Sequence, residues 1–176
     1  TVEATARVLE GLGHSVELIK LPIRASFAND FSQYWGMLSY LLSTFGHKLL
    51  SADFDKTKTD NLTQGLAQYY RKNMWRTPMM LWGMKRVAND YAEIFRNCDV
   101  LLSPVLSHTT PKLGHLSPVQ SFESLFERLR NYVSFTPLNN AAGTPALSMP
   151  MGRTAEGLPI AVQLSGARGE ERRLLA

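Results

Sequence analysis

Two spacings of apolar residues alternate along the chain. Residues 1–10 place Val2, Ala6 and Leu9 at helical spacing, and Gly11 and Gly13 follow as stop signals, so a helix is predicted there. Residues 14–21 alternate instead, with Val16, Leu18 and Ile19 inward and Pro22 closing the run, which predicts a strand. From 27 to 50 aromatic and apolar residues recur every three or four positions (Phe31, Trp35, Leu38, Leu42, Phe45). That pattern predicts a long, mostly buried helix, with Gly36 and Gly46 as sites where it could break. A polar loop over 51–60 leads to a helix over 61–73. The next helix is predicted to start with Thr77 as cap and Pro78 at its first position, and to run to 97.

Beyond residue 98 the texture changes. Residues 99–104 form a short apolar run ended by Pro104, as in a buried strand. Residues 105–120 are rich in Pro, Ser, Thr and His and read as a long ordered loop. A helix is predicted over 121–133, with Ser121 or Ser124 as its cap. In 139–146 small residues permit close backbone approach, Gly143 can take positive φ, and Asn139 and Asn140 can bond local backbone. Two apolar runs at 145–150 and 158–164, joined by a polar loop over 152–157, predict a hairpin at the edge of a larger sheet. A last helix is expected after Gly169. No internal repeat or low-complexity segment occurs.

Composition narrows the class. With 176 residues, 44% hydrophobic and 19% charged, the chain reads as a soluble globular domain with a real core. No apolar run reaches the roughly 18 residues a transmembrane helix requires. The single cysteine, Cys98, excludes an internal disulfide and fits a reducing compartment, so a cytoplasmic location is expected. The net charge of +4 is modest. The nearest approach to a basic cluster, Glu170-Glu171-Arg172-Arg173, is self-neutralised, and neither a nucleic-acid nor a membrane partner is expected. Thr1 is not an initiator Met and the chain stops inside a helical pattern, so both ends are read as cut ends.

Candidate chemistry is sparse. The chain holds no G-x-S-x-G elbow, P-loop or dinucleotide fingerprint. His108 and His115 share a loop at a spacing that suits no metal, and no metal or cofactor is expected. Cys98 reads as a small buried hydrophobe. Asp53 and Asp55 read as solvated charges on a polar loop.

The order of several segments changes the picture. CDVLLSPV (98–105), NNAAGTPALSMPMG (139–152), GLPIAVQLSG (157–166) and GEERRLLA (169–176) follow one another as in the C-terminal half of the amidase signature family, which the chain resembles. ATARVLEGLGHSVE (4–17) is similar to that family's helix–strand unit midway along the domain. The resemblance implies an α/β fold, a mixed β-sheet flanked by helices, with residues 1–176 as the C-terminal part of a single domain. It also implies amide carbon–nitrogen cleavage by acyl transfer: a Ser nucleophile, a second Ser in a cis peptide linkage and a neutral Lys that takes the proton through it. Those groups lie in a Gly/Ser-rich stretch and a Lys of the family's N-terminal half. Here no Ser-Ser or Gly-Gly dipeptide occurs, and none of the seven lysines sits in a matching context. No catalytic residue is therefore carried over, and the chain alone is expected to be inactive.

What this half can supply is support and pocket wall. Trp35 and Leu38, on the aromatic helix, could line an acyl pocket, with ordinary core as the competing reading. Thr136 and Asn139 lie just before the hairpin and could face the scissile bond, with a local turn role as the competing reading. The expected partners are a small-molecule amide, the rest of the same domain, and further copies of the chain, because a half-sheet exposes an unpaired edge and an apolar face. DFSQYWGML (30–38) is faintly similar to family members acting on aminoalkanoate amides. The transamidation subunit that amidates charged tRNA shares the fold and is the alternative enzyme reading. A non-catalytic binding module built on half the fold is the other.

Overall fold

The computed structural model describes residues 1–175. In chain order its elements are α1 (Val2–Gly11), α2 (Phe27–Leu49), α3 (Asn61–Lys72), α4 (Thr77–Ile94), β1 (Leu101–Pro104), α5 (Phe122–Tyr132), α6 (Pro137–Ala142), β2 (Ala146–Arg153), β3 (Pro159–Ser165) and α7 (Glu171–Leu175), with 3₁₀ turns at Lys56–Lys58 and Met74–Arg76. Two compact units result. One takes residues 1–23, 87–111 and 131 onward; the other takes 24–86 and 112–130.

The first unit is built on a three-stranded antiparallel sheet of order β1-β3-β2. The expected hairpin is present as β2–β3, with Ser148 opposite Gln163 and a bulge between Pro150 and Gly152. On its other side β3 pairs with β1, Ser103 opposite Gln163. β3 is thus the central strand and carries the deepest residues, Val162 and Ser165. α1 packs on β1 and α7 on β2. A cluster of Tyr91, Ile94 and Ala142 forms the core, with Leu21, Ile23, Phe95, Leu101 and Leu138 packed against it.

Residues 14–21 do not form the predicted strand. Alternation makes a segment fit for a strand, but a strand exists only when a neighbour completes its hydrogen bonds. Among the described residues none does. Leu18, expected inward, is fully exposed, and only the end of the segment, Leu21 with Ile23, reaches the core.

α6 replaces the small-residue turn expected at 139–146. Pro137 sits in its first turn, where a missing N–H costs nothing. Gly143 ends it with φ 66°, and its N–H and that of Thr144 both donate to the Asn139 carbonyl, at 2.8 and 3.2 Å. Glycine is required twice over. The φ is left-handed, and a Cβ would lie 2.6 Å from Arg168 Nη2. That guanidinium donates to the Ala142 carbonyl at 2.7 Å and the Gly143 carbonyl at 3.3 Å, neutralising the negative end of the helix.

The second unit is helical. α2 runs unbroken through Gly36 and Gly46, because both glycines serve contact. A Cβ on Gly36 would meet the Leu66 carbonyl oxygen at 2.9 Å and Tyr70 Cβ at 3.1 Å, so its absence lets α2 and α3 touch. A Cβ on Gly46 would overlap the Phe54 ring. The expectation that α2 is mostly buried does not hold. Its buried residues are Asp30, Ser32, Gln33, Gly36, Ser39 and Gly46, while Leu38, Leu41, Phe45 and Leu49 are exposed.

Two caps differ in outcome. Ser121 Oγ accepts the Ser124 N–H at 3.3 Å at the start of α5, as expected. Thr77 does not cap α4. The Met74–Arg76 turn runs directly into the helix, and the Thr77 hydroxyl donates back to the Met74 carbonyl at 2.6 Å.

Candidate functional site

The most elaborate polar arrangement is buried under the hairpin of the sheet unit. α6 presents Asn139, β3 presents Gln163 and Ser165 two residues apart on one face, and α4 presents Tyr91. Asn139 Oδ1 accepts from Gln163 Nε2 at 2.9 Å and from Ser165 Oγ at 3.3 Å. Its Nδ2 donates to Thr144 Oγ1 at 3.0 Å and to the Pro145 carbonyl at 3.5 Å. Gln163 Nε2 also reaches Ser165 Oγ at 3.3 Å. The Tyr91 hydroxyl faces the side chains of Ser165 and Asn139, close enough for both to act on its titration. All four residues are buried, Ser165 completely.

This network contains amides and hydroxyls but no ionised group. Burial pushes the Tyr91 hydroxyl above its ordinary range, against the smaller opposing pull of Ser165 and Asn139. Tyr91 is therefore neutral at physiological pH. Ser165 has no His, Lys or carboxylate among these partners to take its proton, which nucleophilic activation requires. The chemistry available is positional: the network ties the C-terminal end of α6 and the Thr144-Pro145 turn to the central strand. The bonds among Asn139, Gln163 and Ser165 are buried, where each is strong and where losing one partner is costly, while those to the Thr144-Pro145 turn are partly buried.

Of the sequence-derived site residues, Asn139 stands at the centre of this network and Thr136 immediately precedes α6, half-buried and without a side-chain capping bond. Trp35 and Leu38 belong to the helical unit. Trp35 is half-buried, its ring centroid 6.3 Å from that of Phe126, which also meets Tyr69 at 5.8 Å and stacks on Phe122 at 5.1 Å. Leu38 is 46% exposed on the outer face of α2. Sequence reading missed Tyr91, Gln163 and Ser165. The available signal was two polar residues at i and i+2 in an otherwise apolar strand, which marks a buried partner.

The other candidates are accounted for locally. Asp55 Oδ1 accepts from Thr57 N at 2.9 Å and Thr57 Oγ1 at 2.7 Å, pinning a 3₁₀ turn; chiefly these bonds lower its pKa. Cys98 lies in a shallow depression with Phe95, Arg96, Asn97 and Asp99. Burial, and then the Asp99 charge, raise the thiol's pKa, so it is a poor thiolate. Arg173 pairs with Glu170 and Asp99, in keeping with a neutralised 170–173 cluster. The His108 ring packs on Tyr132, with centroids 4.7 Å apart. Among the described residues no three His, Cys, Asp or Glu side chains converge on a metal-sized site, and no helix is long and apolar enough to cross a membrane.

Comparison with known proteins gives this arrangement a context. The sequence profile of the amidase family matches residues 1–175. A Mycobacterium leprae protein named as an amidase, AmiC, is 37% identical over 172 residues, covering 97% of this chain and 36% of the relative. A glutamyl-tRNA(Gln) amidotransferase chain from Wolinella succinogenes is 41% identical over 87 residues, 48% of this chain and 18% of the relative. The structure of 6-aminohexanoate cyclic dimer hydrolase with its substrate superposes at a TM-score of 0.80 with 22% identity, covering 99% of this chain and 38% of that one. The chain thus spans little more than a third of the length of the AmiC relative and of the cyclic dimer hydrolase.

Proposed function

Because the chain belongs to the amidase family, we propose that it forms the C-terminal support of an amide carbon–nitrogen hydrolase whose catalytic groups lie upstream of Thr1. The observation that carries this reading is the continuous family match along residues 1–175, set against a share of only 36% of the AmiC relative. In this reading acyl transfer uses a Ser nucleophile, a cis-linked bridging Ser and a neutral Lys outside this chain. The chain's own contribution is the rigid hairpin and the α6 turn fixed by Asn139, Gln163, Ser165 and Tyr91. A small-molecule amide is the substrate class, and the rest of the domain is the first partner.

The hydrolase reading is preferred to the transamidation reading. The amidase relative aligns along nearly the whole chain, the amidotransferase relative along half of it.

The coding sequence upstream of Thr1 tests the proposal. A Lys followed by a Gly/Ser-rich stretch with paired serines is expected. Translation beginning immediately before Thr1 overturns the catalytic reading. Independently, the purified 176-residue chain is expected to turn over no amide above the uncatalysed rate; substantial turnover would sink the claim that the machinery lies elsewhere.

A further inference from the structure

Asn139, Gln163 and Ser165 fix one another's orientation, and one group is left over. The Pro145 carbonyl can only accept a hydrogen bond, so the Asn139 atom facing it at 3.5 Å is Nδ2, which also donates to Thr144 Oγ1 at 3.0 Å. Asn139 Oδ1 is thereby turned toward β3. Only donors can meet an oxygen there, so Gln163 presents Nε2 to it at 2.9 Å and Ser165 its hydroxyl at 3.3 Å. Ser165 Oγ takes the second hydrogen of Gln163 Nε2 at 3.3 Å. Both amide hydrogens of Gln163 are then used, and its Oε1 faces away from Asn139. Among the described residues no donor reaches that oxygen.

Gln163 is only 6% exposed, so an unmet acceptor on it is costly. Oε1 is nevertheless not sealed in. Among the described residues the one fully enclosed side-chain oxygen or nitrogen without a partner is Ser43 Oγ. The register accounts for the opening. Ser103 and Ser148 stand directly opposite Gln163 on the two neighbouring strands and share its face. Ala161, two residues earlier on β3, shares it too. These side chains are short, Ser148 is exposed, and Ser103 spends its hydroxyl on the Pro104 carbonyl at 3.1 Å. One amide oxygen, held in a single orientation by buried groups, therefore stands among small side chains.

We propose that Gln163 Oε1 accepts a hydrogen bond from the carboxamide N–H of the substrate and so helps to select amides, an assignment that rests on the hydrolase reading above. The oxygen is uncharged and can only accept, so it fits a neutral N–H donor. An amide brings that donor to the reaction, and the matching ester lacks it. A buried acceptor discriminates sharply, because a ligand without the donor leaves it unpaired. Asn139 and Ser165 already hold the Gln163 amide in place, so no rotation is needed when the donor arrives.

The full-length protein, upstream region included, tests this with benzamide and hexanamide against methyl benzoate and methyl hexanoate. The readout is kcat/KM for each amide divided by that for its ester, a ratio that does not change with the fraction of enzyme folded. Gln163→Met keeps the length of the side chain and removes the acceptor. It is expected to lower the ratio about tenfold, the worth of roughly one hydrogen bond. An unchanged ratio, with amide and ester slowed alike, overturns the proposal: Gln163 is then support only, or a peptide N–H of the upstream region occupies its oxygen. If Gln163→Met yields no folded enzyme, the wild type decides. Acetamide should inhibit it about tenfold better than N,N-dimethylacetamide, which has no N–H, and equal inhibition overturns the proposal. A wild type that hydrolyses none of these compounds overturns the hydrolase reading itself, and the role of Gln163 in substrate binding with it.

Discussion

In the sheet unit, β3 carries Val162, Gln163 and Ser165 into the interior, and Asn139 and Tyr91 meet them there. In the helical unit, α2 turns Ser32, Gly36, Ser39 and Gly46 inward and leaves Leu38, Leu41, Phe45 and Leu49 outside. A hydrophobicity ranking gets both wrong, for different reasons. Polar groups are tolerated inside the first unit because each is hydrogen-bonded to another buried group, which removes most of the cost of leaving water. Large side chains are kept out of the α2–α3 contact because closeness is what stabilises it: at Gly36 the helices touch backbone to backbone, and a leucine there would force them apart. One interior is held by directed bonds and the other by small residues at short range, so the two should fail under different substitutions.

The largest effect is expected from Asn139→Ala. The change removes an acceptor shared by Gln163 and Ser165, leaving both buried without it, and a donor used by the half-buried Thr144. A loss of about 3 kcal/mol is expected in urea unfolding. A loss under about 1 kcal/mol would mean that water takes over the bonds and that the network is not what holds the hairpin.

Gly36→Ala probes the other interior. A methyl group would stand 2.9 Å from a carbonyl oxygen that belongs to a helix and cannot rotate away. Overpacking of this kind costs about 1–3 kcal/mol, against which alanine regains roughly 1 kcal/mol of helix propensity, for a net loss near 1–2 kcal/mol. Gly11→Ala is the control. An added Cβ there meets nothing within 4 Å, so that variant should be neutral or slightly more stable. Equal behaviour of the two variants would refute close approach as the reason for Gly36.

Tyr91→Phe separates the hydroxyl from the ring. The ring still fills the core against Phe95, whose centroid lies 5.5 Å away, so the expected loss is about 1 kcal/mol, that of one buried hydrogen-bonding group. The sign of its pH dependence follows from the raised pKa. Below about 10, the ordinary tyrosine value, the hydroxyl is protonated in both folded and unfolded chains and contributes fully. Above it the unfolded chain releases the proton first, so stability falls as pH rises toward the folded value. The Phe variant should lose that part of the alkaline decline. An unchanged alkaline limb would point to Cys98, whose thiol is also raised by burial.

How much of this is legible follows from what each signal encodes. Helices α1 to α5, the three strands and the hairpin are readable because spacing reports which side of an element is apolar, and Ser121 and Pro104 mark the start of α5 and the end of β1. The strand over 14–21 fails because alternation cannot supply a partner. α6 escapes because six residues are too few to show a period. The direction in which α2 faces is misread because glycine and serine carry no hydrophobic signal even where contact is closest. Asn139 stands out for its place before the hairpin, but the partners that give it a role lie 24 and 26 residues further along, at a separation no local pattern reports.

The smallest effect on stability, and the sharpest test of the contrast, concerns the outer face of α2. If that face carries no packing in the folded chain, Leu38→Lys and Leu49→Lys should each change unfolding free energy by under about 0.5 kcal/mol at low protein concentration, since lysine is nearly as good a helix former as leucine and the side chains are exposed. The effect should instead appear in association. An exposed row of Leu38, Leu41, Phe45 and Leu49 is a contiguous apolar stripe of the kind that drives proteins together. Sedimentation velocity over a concentration series should show the native chain moving to larger species and the double variant shifted toward monomer. A stability loss of about 2 kcal/mol or more would mean the leucines are packed in solution, and the contrast between a bonded interior and a small-residue interior would have to be redrawn with this face inside.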